Sequence, residues 1–279
     1  MNIFDVVLSS LVAIKKNPKF LFPALVFVLF GVVVLSVLSA LFLNSIPGQV
    51  IAAHQLYARV VLAITRLIPF IILVGIIVFL AGVVVKGMYI DLCHNWKRFP
   101  KKPSLRKSFG VALSRYKDLL IFELISIVAE LVVAVVVLGP LLYLTLNSIV
   151  YPYLNGVAIS GASFSGLSLI TTVLIVLYAV LTIAVTILLW LGSTIVVLDH
   201  SDAVSALKES IRIGNKEALR ILGVLVVAYL LVFIALLISR AFQAIPFVGV
   251  IISFIITIGI MTFIELIAPM YYLTFHKNR

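Results

Sequence analysis

The 279-residue chain is 64% hydrophobic and only 11% charged, with mean hydropathy +1.31 and a formal net charge of +11. Soluble domains run at about 45 to 50% apolar and about 25% charged, so this composition excludes a soluble enzyme or binding module and points to an integral membrane protein. The positive excess lies beside apolar runs, where anionic headgroups are nearer counter-charges than nucleic acid, and the single cysteine, Cys93, excludes an intramolecular disulfide and any Cys-based metal site.

Met1 to Ile14 has no leading positive charge, so no signal-peptide pattern is expected there. Phe4, Val7, Leu8, Leu11 and Lys15 recur at helical spacing, with Asp5, Ser9 and Lys16 opposite. The basic exit KKNPK follows, at Lys15 to Lys19. Such a segment is expected to lie where lipid headgroups meet water. The first run long enough to cross a bilayer, which takes about 20 apolar residues, is Phe20 to Leu43. Ile46 to Arg66 opens with Pro47, a common first helical residue, and carries Gln49, His54, Gln55 and Arg59; it reads either as an outer surface helix or as an outward extension of the next span.

The second run is Leu67 to Ile90. After it, Leu105, Phe109, Ala112, Leu113 and Tyr116 line one helical face, and Arg106, Lys107, Ser108, Ser114, Arg115 and Lys117 the other. This is the clearest of the basic surface helices. The third and fourth runs, Leu119 to Asn147 and Leu167 to Leu198, exceed a perpendicular span and are expected to tilt, kink or protrude. Gly139-Pro140 is the expected kink in the third. Between them, Ser148 to Gly166 is uncharged and rich in Ser, Gly and Tyr, and reads as a linker. A third echo has Val204, Leu207 and Ile211 as its stripe, with Lys208, Glu209, Arg212 and Lys216 opposite. The fifth and sixth runs, Leu219 to Ile238 and Val248 to Phe275, complete the chain.

The fold class expected is therefore all-α: one polytopic membrane domain over residues 1–279, with six transmembrane helices and three cytoplasmic amphipathic surface helices. Three units, 1–100, 101–200 and 201–279, each a surface helix plus two spans, would make a pseudo-threefold repeat. With six spans, every Lys and Arg except Arg59, Arg66 and Arg240 falls on one side, which places both termini and the surface helices in the cytoplasm of a cell-membrane protein.

Ionisable groups inside spans are the strongest functional pointers, because each is costly to bury. Three glutamates qualify. Glu130 and Glu265 are read as sharing midplane depth, with no Lys or Arg beside them, and Glu123 as the relay edge near the inner boundary. The pair reads either as a substrate or ion site, or as neutral hydrogen-bonded partners that hold helices together. Lys86 and Asp91 read as interface anchors. His54, His94, His200 and His276 are scattered, so neither a metal nor a cofactor is expected. Gly161-Ala162-Ser163-Phe164-Ser165-Gly166 approaches the hydrolase elbow G-x-S-x-G but ends wrongly, and catalysis is not expected. Gly75 and Gly82 fall on one face and suit close helix packing.

Ala203-Val204-Ser205-Ala206-Leu207-Lys208-Glu209-Ser210, Gly214-Asn215 before a span, and Ile245-Pro246-Phe247-Val248-Gly249 opening the next resemble a broad group of prokaryotic polytopic proteins. That group includes the membrane domain attached to some glycerophosphodiester phosphodiesterases. The resemblance covers residues 200–275 and implies a six-helix membrane domain, not phosphodiesterase activity. Mitochondrial carriers, also three units of about this size, are set aside because their P-x-[DE]-x-x-[KR] motifs are absent. The functional expectation is transport or conduction of a small solute or lipid-like molecule. The alternatives are a non-catalytic scaffold or accessory subunit that binds partners, and an intramembrane enzyme acting on lipid. Lys15, Lys16, Lys19, Arg106, Lys107, Arg115 and Lys117 are expected to hold anionic headgroups of membrane lipids, and a homo-oligomer or a partner membrane protein is compatible with either leading reading.

Overall fold

The computed structural model describes residues 3–45, 53–98, 104–147, 161–243, 245 and 247–276. Nine helices carry the described chain: α1 (Ile3–Lys16), α2 (Leu21–Ser45), α3 (Ala53–Arg98), α4 (Leu105–Ser114), α5 (Tyr116–Thr145), α6 (Gly161–Leu189), α7 (Gly192–Leu198), α8 (Ala203–Phe242) and α9 (Val248–Phe275). Among the described residues there is no strand, and six helical stretches are long and apolar enough to cross a membrane.

Local chemistry sets several of the starts. Asn17 accepts a hydrogen bond from the Lys19 N–H at 3.2 Å and opens a 3-10 turn, Pro18–Phe20, that leads into α2. Ser104 caps α4 through the Lys107 N–H, and Asp202 caps α8 through the Ser205 N–H at 3.1 Å. Hydrogen bonding from the Ser205 side chain and backbone holds the Asp202 carboxyl below its ordinary value.

The spans form a ring in chain order. α2 packs on α3, α3 on α5, α5 on α6, α6 on α8, and α8 on α9, which closes back on α2 and α3. α7 is held against α3, α5 and α8. The best buried large side chains, among them Phe20, Tyr89, Phe122, Leu191, Ile221, Leu266 and Tyr271, gather at the end of the bundle that carries the basic residues. Toward the other end the helices expose Val33, Leu35, Val135, Val136, Val173, Phe233 and Val250. A hydrocarbon surround makes that exposure cheap.

Some open readings are decided here, and others are corrected. α3 runs unbroken from Ala53, so the stretch after the first span is an extension of the second; residues 46–52 lie outside the described residues. Residues 148–160 of the expected linker also lie outside them, while Gly161 to Gly166 is already helical, which removes the strand–turn–helix setting an elbow serine needs. The fourth run is interrupted at Trp190 and Leu191, between α6 and α7. The third surface segment and the fifth span are one helix, α8, bent at Glu217, whose φ of -118° and ψ of 21° are non-helical.

The short helices bury only part of their apolar stripes, together with small residues beside them. In α1, Val6, Val7, Ser10 and Ala13 are buried against α8 and α9, and Phe4, Leu8 and Leu11 point outward. In α4, Ser108 and Ala112 are buried on α3, and Phe109 and Leu113 are exposed. At the start of α8 the buried seam is Ala203, Ala206, Ser210, Ile213 and Gly214. Small residues let helices approach closely, so a seam of Ser, Ala and Gly packs better against a bundle than a stripe of Leu and Phe. Each seam is centred on a buried serine whose hydroxyl is satisfied: Ser10 donates to the Val6 carbonyl, Ser108 to Asp91 and Ser210 to the Leu188 carbonyl.

Candidate functional site

Four elements converge on one charged centre. α3 contributes Lys86, α5 contributes Glu123, α7 contributes Ser193 and α9 contributes Glu265. Lys86 Nζ donates to Glu123 Oε1 at 2.6 Å, and Ser193 Oγ donates to the same oxygen at 2.7 Å. Both are short charge-assisted bonds. The interruption at Trp190 and Leu191 is what brings α7 inward, and Gly192 sits so close to α5 that a Cβ there would lie 1.8 Å from the Phe122 ring. That contact places Ser193 over Glu123, the residue next to Phe122.

Glu265 lines a cavity together with Lys86 and Glu123. Lys86 and Glu265 both line two cavities, of about 170 and about 290 Å³. A single water needs only about 15 Å³ of such space, so each could hold a small molecule. Thr194 and the rings of Trp190 and Tyr229 also line the smaller cavity, and Phe27, Phe79 and Tyr89 the larger. Glu130 is exposed and lines neither of these two. The two acids expected at midplane thus share neither of these two cavities. Glu265 instead shares its surroundings with Glu123 and with a cation, correcting the expectation that no Lys or Arg lies beside it.

Lys86 and Asp91, read as two anchors at one boundary, bond to different helices. Asp91 is buried and accepts from Ser108 Oγ at 2.6 Å and from Asn95 Nδ2 at 2.7 Å, tying α4 to α3. Between them Tyr89 is 1% exposed; its phenol accepts from the Ala24 N–H at 2.9 Å and shares a hydrogen bond of 3.0 Å with Thr262 Oγ1. Ala24 lies in the first turn of α2, whose N–H groups have no intrahelical partner, so Tyr89 supplies one from another helix.

A second polar cluster pins the bend in α8. Tyr271 donates to Glu217 Oε2 at 2.5 Å, with Arg220 Nη1 at 3.4 Å and His276 Nε2 at 3.5 Å from the same oxygen. Arg220 also lies over the Phe275 ring at 4.9 Å, and Tyr272 donates to Asp199.

The residues expected to hold headgroups lie at the surface of the basic end. Lys15, Lys16, Lys19, Arg106, Lys107 and Lys117 are exposed, and Arg115 is half-buried with a 3.5 Å hydrogen bond to the His200 carbonyl. Among the described residues, no group of three or more His, Cys, Asp or Glu is arranged to hold a metal ion.

Ser193 and the partnership of Lys86 were missed from sequence. Ending the second span at Ile90 put Lys86 at the boundary, whereas α3 continues to Arg98, which leaves Lys86 about 18 Å from that end at 1.5 Å per residue. The signal was the helical run Tyr89-Ile90-Asp91-Leu92-Cys93, which keeps an apolar face past the lysine. No family model matches the chain, and neither does any curated protein or solved structure.

Proposed function

We propose that the protein moves a small solute or lipid-like molecule across the membrane through the Lys86, Glu123 and Glu265 centre. One observation carries this reading: Lys86 and Glu265 line cavities on two sides of a single ion-pair centre, inside a bundle whose helices are otherwise apolar. Charge at depth is costly and is kept where it faces a cavity or a pathway. Transporters with internal repeats place their sites where the repeats meet, and the three buried serines Ser10, Ser108 and Ser210 support a repeat of three units here.

The test needs no known substrate. In a background where buried Cys93 is replaced by serine, Glu265→Cys and Glu123→Cys are each expected to react with a membrane-impermeant thiol reagent from at least one side. Protection of both, in folded protein whose surface cysteines label normally, means a dry bundle. It would replace transport with the scaffold reading.

We also place the basic end in the cytoplasm, with Arg106, Lys107, Arg115, Lys117 and the lysines of α1 and its exit on anionic headgroups. The support is the segregation of Lys and Arg and the exposed Phe109 and Leu113 beside them. Reversing charge at Arg106, Lys107, Arg115 and Lys117 is expected to lower the anionic lipid retained on purification by several-fold. Unchanged retention by mass spectrometry would remove the headgroup role.

A further inference from the structure

Charge counting around the centre leaves one group unbalanced. Lys86 is committed to Glu123, whose bonded oxygen also receives Ser193. The Glu265 carboxylate accepts no hydrogen bond and forms no ion pair among the described residues, yet it lines both cavities. The cation beside Glu265, Lys86, is already paired with Glu123, so the Glu265 carboxylate is open to a cation entering the cavity.

The smaller cavity, about 170 Å³, carries two further features that fit such a cation. Thr194, 1% exposed, puts a hydroxyl-bearing side chain on the same wall as Glu265. Trp190 and Tyr229 supply two aromatic rings to the same wall, and the face of an aromatic ring attracts an organic ammonium. A metal ion would gain little from these rings, and an anion would be repelled by Glu265. Resting on the transport reading, we propose that the cavity bounded by Glu265, Thr194, Trp190 and Tyr229 binds a small organic ammonium, with its charged nitrogen toward Glu265 and Thr194 and its alkyl part toward the rings.

The chain has two tryptophans, so Trp96→Phe leaves Trp190 as the reporter inside the cavity. With that variant purified in detergent, titration with n-butylammonium is expected to give a saturable change in Trp190 fluorescence, and n-butanol or butyrate none. Glu265→Gln is expected to weaken the response at least tenfold, and Tyr229→Leu several-fold. Equal saturation by butanol, no saturable response to butylammonium, or full affinity in Glu265→Gln would each overturn the proposal. Should Glu265→Gln not fold, the contrast between butylammonium and butanol and the Tyr229→Leu effect decide it. The two readings fail separately. Ammonium binding with both cysteines protected describes a cation-binding protein that does not transport, and labelled cysteines without ammonium binding describe a transporter of another substrate class.

Discussion

Gly214→Ala is expected to lower the unfolding midpoint of the purified protein by about 6 to 12 °C. A Cβ at this position would lie 2.9 Å from the Ile187 carbonyl oxygen and 2.9 Å from Leu188 Cα. Both obstacles are backbone, so no rotamer change relieves the clash and α8 must move off α6. Overpacking of this kind costs about 3 kcal/mol, and about 2 to 4 °C per kcal/mol is usual for a chain of this order of size. The shift would also stretch the 2.8 Å bond from Ser210 Oγ to the Leu188 carbonyl. Gly75→Ala and Gly139→Ala are the controls, because nothing lies within 4 Å of a Cβ at either position. Alanine there is expected to be neutral or slightly stabilising, by up to about 1 kcal/mol from helix propensity. If Gly214→Ala melts with the wild type, the close crossing of α6 and α8 is wrong.

Lys86→Met should be nearly as damaging, and its cost should vanish when Glu123 is removed with it. The single change leaves Glu123 and Glu265 near one another without a cation, Glu123 retaining only the Ser193 bond. Breaking one side of a buried pair costs about 3 to 5 kcal/mol, and the low end applies because the Lys86 side chain is 34% exposed. Lys86→Met with Glu123→Leu replaces the pair by apolar side chains, which is often neutral, so the double variant is expected to unfold within about 1 kcal/mol of the wild type. A double-mutant cycle on thermal or denaturant unfolding measures the coupling. Additive effects of the two single changes would mean that the ion pair contributes nothing to the centre.

What the sequence could and could not reveal follows from the range of the forces involved. The six spans were legible because crossing hydrocarbon demands a long local run of apolar residues, which any one stretch carries by itself. The short segments before the spans were legible as helices, from spacing and from caps such as Ser104 and Asp202. Their buried faces were not. In a membrane protein the outward surface is also apolar, so Phe4, Leu8 and Phe109 mark lipid exposure, and the protein-facing seam is written in serine, alanine and glycine. Glu123 and Glu265 stood out because charge in a span is rare, but which acid meets Lys86 depends on helix rotation and on the break before α7. Neither is encoded locally: the contact that sets α7 is Gly192 on Phe122, seventy residues back along the chain.

The ring closes between its first and last helices, and that fixes an order of assembly during synthesis. The Tyr89 phenol reaches Ala24 as soon as α3 is made, but its partner Thr262 is 173 residues further on. At roughly 5 to 20 residues per second, α9 arrives about 10 to 35 s later. Lys86 can meet Glu123 after only 37 residues, so the nascent chain neutralises its buried cation early. The last helix then delivers Glu265 to a centre in which Lys86 is already paired with Glu123.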